Sequence, residues 1–390
     1  MSAPIPGGFL WGTATAAHQV EGGNWNSDWW EWEHRPDTPC VEVSGDACDH
    51  YHRYRDDLSM LADLGFNSYR FSIEWARIEP EENEFSRAAL DHYKRMCGSC
   101  RDLGLRPVVT FHHFTSPRWV AAKGSWNDPG IVDAFVRFCD VAARHLGDEI
   151  AVACTINEPN IVALFGYQVG IFPPGTNDPD ARLRANDNFI AAHRKATDAI
   201  KAHTTAPVGL TLAMSEYQAV DGGQDYLEQL QRPMEDVFLE AIAGDDFVGV
   251  QTYSRYRVGP KGLLGTEEGV EITQMGYEFY PRALEHTIER AARLSGCPVI
   301  VTENGIATAD DSRRIAFIEA ALDSVRATLK AGVDLRGYFY WSFLDNFEWN
   351  LGYAPTFGLV AVDRTTQVRT IKPSARWLGE IVRSGALPEA

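Results

Sequence analysis

Basic charge is the first thing this sequence is short of. Its 390 residues carry 36 Lys and Arg against 54 Asp and Glu, a formal net charge of −18. A surface of that sign repels phosphate backbones, so no nucleic-acid partner is expected. Long apolar runs are also missing. A membrane-spanning helix needs about 18 or more consecutive apolar residues, and no such run occurs, so no membrane association is expected. The N-terminus, Met1-Ser2-Ala3-Pro4-Ile5-Pro6, lacks the basic segment and apolar stretch of a secretory leader. Cysteine is sparse, and the seven residues are odd in number and scattered. That pattern fits reduced thiols in a cytoplasmic protein. Cys97-Gly98-Ser99-Cys100 is a CxxC, but it lies in a helical stretch and no second pair completes a zinc site, so packing is its expected role. HExxH, the Walker lysine loop, GxGxxG and GxSxG are all absent, which removes support for zinc proteolysis, P-loop phosphate binding, dinucleotide binding and a serine elbow.

What is present is alternation. Eight short, β-rich apolar runs recur at 9–16, 67–73, 106–113, 151–157, 207–214, 246–253, 298–303 and 335–343. Near-continuous apolar runs suit parallel strands covered on both faces. Helical stretches such as 51–64, 87–103, 131–146 and 312–331 lie between them. Strand–helix alternation repeated eight times predicts an α/β fold, a closed (β/α)8 barrel with elaborated loops. The whole chain, 1–390, reads as one catalytic domain of this kind. An open doubly wound sheet is the competing architecture; it is disfavoured because no dinucleotide fingerprint follows the first run.

The chemistry-bearing residues gather at the ends of these runs. Gln19 follows the first, Arg70 sits in the second, and His112-His113 close the third. Asn157-Glu158-Pro159 follow the fourth, Tyr253 ends the sixth, Glu303-Asn304 the seventh and Trp341 the eighth. In a barrel those ends share one face, where barrel enzymes place their chemistry. A single strand-end glutamate is most simply a salt-bridge partner. Two of them, Glu158 and Glu303, on strands that can face each other, match what cleavage of a glycosidic bond needs. One carboxyl gives a proton to the leaving oxygen and the other, ionised, attacks the anomeric carbon or activates water; a retaining enzyme holds the pair about 5–5.5 Å apart. The proline after Glu158 biases that residue toward extended backbone.

Longer motifs surround both glutamates. Gly8-Phe9-Leu10-Trp11-Gly12 and Ala14-Thr15-Ala16-Ala17-His18-Gln19-Val20-Glu21-Gly22 come first, then Tyr69-Arg70-Phe71-Ser72-Ile73-Glu74-Trp75. Thr155-Ile156-Asn157-Glu158-Pro159 and Val301-Thr302-Glu303-Asn304-Gly305 hold the carboxyls. Trp341-Ser342-Phe343-Leu344-Asp345-Asn346-Phe347-Glu348-Trp349 and Lys372-Pro373-Ser374-Ala375 complete the series. In this order and over nearly the whole chain, the sequence resembles the family 1 glycoside hydrolases, the β-glucosidase and β-galactosidase group. The resemblance implies a (β/α)8 barrel, a retaining mechanism on a small-molecule or oligosaccharide β-glycoside, and no cofactor. It implies Glu158 as general acid/base and Glu303 as nucleophile, with Arg70 beside the nucleophile and Tyr253 hydrogen-bonded to it. It places Gln19, His113, Asn157 and Glu348 on the sugar hydroxyls, Trp341 as the aromatic platform and Trp349 near it. By strand alternation His112 faces away from His113.

The resemblance also sorts within the family. In the branch acting on 6-phosphorylated sugars a serine stands at the position of Glu348, with a lysine soon after. Here a carboxylate would repel the phosphate, and no lysine lies between Trp349 and Val362, so an unphosphorylated terminal glucose, galactose or fucose unit is expected. The chain departs from the family at Val250-Gln251-Thr252-Tyr253, where Asn-Tyr-Tyr is more usual; the longer Gln251 is expected to alter contacts on the leaving-group side. The segments 215–245 and 254–280 look trimmed, which predicts an open mouth tolerant of varied leaving groups. Trp25, Trp29, Trp30 and Trp32 either line that side or pack a long loop. Transglycosylation through the same intermediate, and a non-catalytic sugar-binding barrel, are the competing functions. The sequence carries no signal of oligomeric state.

Overall fold

The computed structural model describes residues 5–387; the first four residues, where the N-terminal reading begins, lie outside them. Eight strands form the barrel: β1 Leu10–Ala14, β2 Ser68–Ser72, β3 Arg106–His113, β4 Val152–Asn157, β5 Val208–Ala213, β6 Phe247–Gln251, β7 Val299–Asn304 and β8 Leu335–Trp341. They pair in parallel with their sequence neighbours, and β8 closes on β1, with Ala14 opposite Trp341. The expected (β/α)8 barrel is therefore the observed one; each strand lies within the run that foretold it except β7, which extends one residue further, to Asn304.

Apolar composition and parallel pairing explain each other. Every residue of β1, β2, β4, β6 and β7 is buried. One set of side chains, including Leu10, Val108, Val152, Phe247, Ile300 and Phe339, packs as a cluster separate from the larger one. Alternate residues of the same strands, such as Trp11, Val109, Ala153, Val248 and Tyr338, join the larger cluster with residues of the surrounding helices. Each fully buried Val, Leu or Ile contributes about 1.5–3 kcal/mol. Gly12 has to be glycine, since a Cβ there would lie 2.4 Å from the Phe339 ring and 2.7 Å from the Ser68 carbonyl oxygen.

Helices His50–Asp63, Arg87–Asp102, Ile131–Leu146, Pro179–Lys201, Ala283–Ser295, Asp311–Lys330 and Pro373–Ser384 connect successive strands or follow the last. Their starts follow local rules. Ser86 accepts a hydrogen bond from the Ala89 amide, and Asp178 accepts one from Asp180 with Pro179 at the first helical position. Cys97 and Cys100 are buried in their helix, and all seven cysteines are unbridged. The loops after β5 and β6 hold elements the apolar pattern did not foretell. Glu216–Ala219, Arg255–Gly259 and Gly262–Leu263 form a small sheet beside the barrel, and Val360–Val362 pairs with Arg369–Ile371 near the chain's end. Among the described residues no helix is long and apolar enough to cross a membrane.

Candidate active site

Parallel register sets the predicted residues side by side. His113 on β3 pairs with Asn157 on β4, Asn157 with Thr211 on β5, Gln251 on β6 with Glu303 on β7, and Ala14 with Arg70. Ala14, His113, Asn157 and Gln251 close their strands and Glu303 is one residue short of its strand's end, while Arg70 and Thr211 stand within theirs. A register shift between Val301 and Glu303 interrupts the regular ladder with β6 at the glutamate.

Glu303 is held from three sides. Arg70 Nη1 donates to Oε1 at 2.6 Å, Gln251 Nε2 donates to the same oxygen at 2.8 Å, and the Tyr253 hydroxyl donates to Oε2 at 2.6 Å. Arg70 is fully buried, and its second amino group bonds Asn157 Oδ1. Burial raises the Glu303 carboxyl above its usual range; the Arg70 charge and the Tyr253 hydrogen bond oppose that rise.

Glu158 is built differently. It has φ +44° and ψ +56°, left-handed backbone rather than the extended conformation expected before a proline. Its amide still bonds the Thr211 carbonyl, as a strand residue's would, while Pro159 opens a short helix, Pro159–Val162. One residue must make the whole turn, and a following proline disfavours the right-handed helical region. The left-handed turn costs about 1 kcal/mol or more. Phe114 and Trp349 share this backbone class at the same end of the barrel. The Glu158 carboxyl has no hydrogen-bond donor among the described residues. Burial, and then the charge of Glu303, push its proton affinity well above the usual carboxylate range. Of the two carboxyls, Glu303 loses its proton first.

The remaining predicted residues complete a ring. Asn157 Nδ2 lies 3.2 Å from His113 Nε2. Asn157 Oδ1 already accepts from Arg70 and Gln251, so the asparagine NH2 donates and His113 Nε2 accepts. Burial keeps His113 neutral by lowering its proton affinity. The His113 ring lies nearly parallel to Trp341 at 5.9 Å and to Trp349 at 6.3 Å. Gln19 Nε2 donates to the Phe347 carbonyl at 2.8 Å and to Asn346 Oδ1 at 3.0 Å, with Glu348 Oε2 at 3.4 Å. Gln19 Oε1 and His113 Nδ1 are buried without a partner among the described residues. Burial and the Glu303 charge push the Glu348 carboxyl up to about 8, against hydrogen bonds from Gln19 and Trp341. The peptide bond between Trp341 and Ser342 is cis.

His112 faces away, as alternation requires, against Ser116, Trp126 and Phe135. The tryptophan patch divides. Trp29 is buried 4.5 Å from Trp349 and Trp32 is buried with it, whereas Trp25 is 67 % exposed and stands edge-on to Trp30. Gln251 has contacts its residue type alone did not announce. Its side chain is buried against Glu303 and Asn157, among the residues that hold the glutamate. Thr211, 3.3 Å from Asn157 Oδ1, and Asn346 were missed. Thr211 meets Asn157 only through the pairing of β4 with β5, and Asn346 meets Gln19 only when the loop after β8 folds back over the start of the chain. Among the described residues no group of three or more His, Cys, Asp or Glu side chains is placed to hold a metal ion.

A (β/α)8 barrel with two buried carboxyls at its strand ends, one held by donors and the other without any, belongs to the class of enzymes that cleave glycosides. The sequence model of glycosyl hydrolase family 1 matches residues 1–258 and 251–386. Beta-glucosidase A of Acetivibrio thermocellus is 32% identical over 97% of this chain and 98% of its own. The β-glycosidase BGL167 superposes with a TM-score of 0.93 at 51% identity, covering 99% of both chains. The β-glucosidase of Thermotoga maritima in complex with deoxynojirimycin does so with a TM-score of 0.94 at 30% identity, covering 99% of this chain and 100% of its own. The chain belongs to glycosyl hydrolase family 1 and is a β-glycosidase.

Proposed function

We propose that this enzyme is a retaining exo-β-glycosidase that removes a terminal β-D-glucosyl unit, and also galactosyl or fucosyl units, with residues 1–390 acting as one catalytic domain. Glu303 is the nucleophile and Glu158 the general acid/base. The observation that carries the assignment is the asymmetry of the pair: among the described residues three donors reach Glu303 and none reaches Glu158. Donors favour the ionised form that must attack, and a buried carboxyl without them keeps the proton it must give.

In the first step Glu303 attacks the anomeric carbon while Glu158 protonates the departing oxygen, leaving a glycosyl ester on Glu303. The ester carries no charge, so the repulsion that kept Glu158 protonated disappears. Ionised Glu158 then takes a proton from water, whose oxygen attacks the same carbon and releases the sugar and the Glu303 carboxylate. Arg70 and Tyr253 hold Glu303 ionised between turnovers. Asn157 meets the 2-hydroxyl, His113, Gln19 and Glu348 the outer hydroxyls, and Trp341 with Trp349 the apolar face of the ring. The curated relatives named as β-glucosidases support glucose as the principal sugar.

Azide tests the roles directly. Glu303→Gly is expected to abolish turnover of an aryl β-glucoside, with added azide restoring it and giving the α-glycosyl azide. Glu158→Ala is expected to lose most on poor leaving groups, with azide giving the β-glycosyl azide. Full activity in either variant would overturn the assignment.

A further inference from the structure

We propose that Gln251 is a positioning residue whose single amide holds the nucleophile and fixes which way the Asn157 amide faces. The proposal rests on the reading of Glu303 as nucleophile and Asn157 as the ligand of the 2-hydroxyl.

Both partners of the Gln251 amide nitrogen are acceptors. Nε2 lies 2.8 Å from Glu303 Oε1 and 2.8 Å from Asn157 Oδ1. Its two N–H bonds are thereby used, one on each neighbour, and the side chain is buried. The second contact matters as much as the first. Asn157 Oδ1 also receives Arg70 Nη2 and has Thr211 Oγ1 at 3.3 Å. An oxygen so surrounded by donors cannot trade places with its own NH2, which would then meet the Arg70 guanidinium and the Gln251 amide donor to donor. The Asn157 NH2 must point the other way, with one hydrogen on His113 and the other left for the sugar.

Side-chain length makes this bridge possible. Gln251 stands opposite Glu303 in the register of β6 and β7. Asparagine there, one methylene shorter, would withdraw the amide by about an ångström or more. A bond of 2.8 Å stretched that far is no longer a hydrogen bond. The shorter residue can reach one acceptor or the other, not both.

The titratable groups facing Glu303 are Arg70 from β2, Cys154 from β4, Tyr253 just past β6, Glu158 after β4 and Glu348 after β8. Against that fixed background, Gln251→Met keeps the length and removes the donor. It is expected to move the acidic limb of the kcat/KM pH profile up by about one pH unit, because a donor favouring the ionised form is gone. It is also expected to lower about tenfold the ratio of kcat/KM for an aryl β-glucoside to that for its 2-deoxy analogue. Gln251→Asn should return one of these readouts toward wild type and leave the other displaced. Stoichiometric labelling by a 2-deoxy-2-fluoro-β-glucoside counts intact sites, so unfolded protein is not scored. If Gln251→Met does not fold, Gln251→Asn decides. A wild-type limb together with a wild-type ratio, whatever the rate, would overturn the proposal. Labelling of a residue other than Glu303 in the wild-type enzyme would instead defeat the underlying assignment.

Discussion

Replacing Arg70 by methionine should move the enzyme's pH dependence further than any other single change at the site. Arg70 is fully buried, and its Nη1 lies 2.6 Å from Glu303 Oε1. Removing one partner of a buried ion pair costs about 3–5 kcal/mol if the other stays charged. Glu303 can avoid that cost by keeping its proton. At about 1.4 kcal/mol per pH unit, the same energy is an upward shift of roughly 2–4 units in its proton affinity. The sign is set by the charge: Arg70 favours ionised Glu303, so its loss favours the protonated acid, which cannot act as the proposed nucleophile. The acidic limb of kcat/KM in Arg70→Met should therefore rise by about 2–4 pH units, and activity at slightly acid pH should fall by roughly a hundredfold to ten-thousandfold. Raising the pH should recover only part of the loss, because in the proposed mechanism Glu158 must still be protonated to act as the acid. Arg70→Lys keeps a charge but cannot serve Glu303 and Asn157 at once, so it should fall between the two. The assay is kcat/KM of an aryl β-glucoside between about pH 4 and 10, corrected for active sites by mechanism-based labelling. An acidic limb unmoved in Arg70→Met, with activity lost equally at every pH, would refute the electrostatic argument and leave Arg70 a purely steric support.

Two further predictions concern stability. Burial pushes the Asp28 carboxyl up to about 8 from its ordinary 3.8, so the native state holds a proton that the unfolded chain has released between those values. Stability should then fall as pH rises through that window, by at most about 1.4 kcal/mol per pH unit. Asp28→Asn keeps an acceptor for the Ser116 and Trp29 amides and should flatten the decline in thermal midpoint from about pH 5 to 8; an equally steep decline in the variant would count against the argument. At Gly305 a Cβ would lie 2.0 Å from the Trp341 carbonyl oxygen. Gly305→Ala should cost about 1–3 kcal/mol and, by displacing Trp341, raise KM more than it lowers kcat; calorimetry with steady-state kinetics would show it, and unchanged values would mean that the backbone yields freely.

Much of the fold was legible because its determinants are local. A parallel strand buried on both faces must be apolar along its length, so runs such as 151–157 and 298–303 announce themselves. Once eight such runs are read as one barrel, their ends share a face, and Arg70, His113, Asn157, Glu158, Tyr253 and Glu303 fall together. The small sheet formed by 216–219, 255–259 and 262–263 was not legible: its strands are short and partly exposed, and they carry no apolar run.

Residue types and their order, then, determined the barrel, the strand ends that carry chemistry and the two glutamates. Those properties depend on neighbours in the chain. Tertiary structure alone decided the rest. Pairing of β6 with β7 and of β4 with β5 brought Gln251 and Thr211 to their partners, and strand geometry forced Glu158 into left-handed backbone. Tertiary structure also gave Glu303 a donor that the sequence did not foretell, the Gln251 amide. A hydrogen bond acts over about 3 Å, and residues far apart in the chain come within that reach only after the barrel has closed.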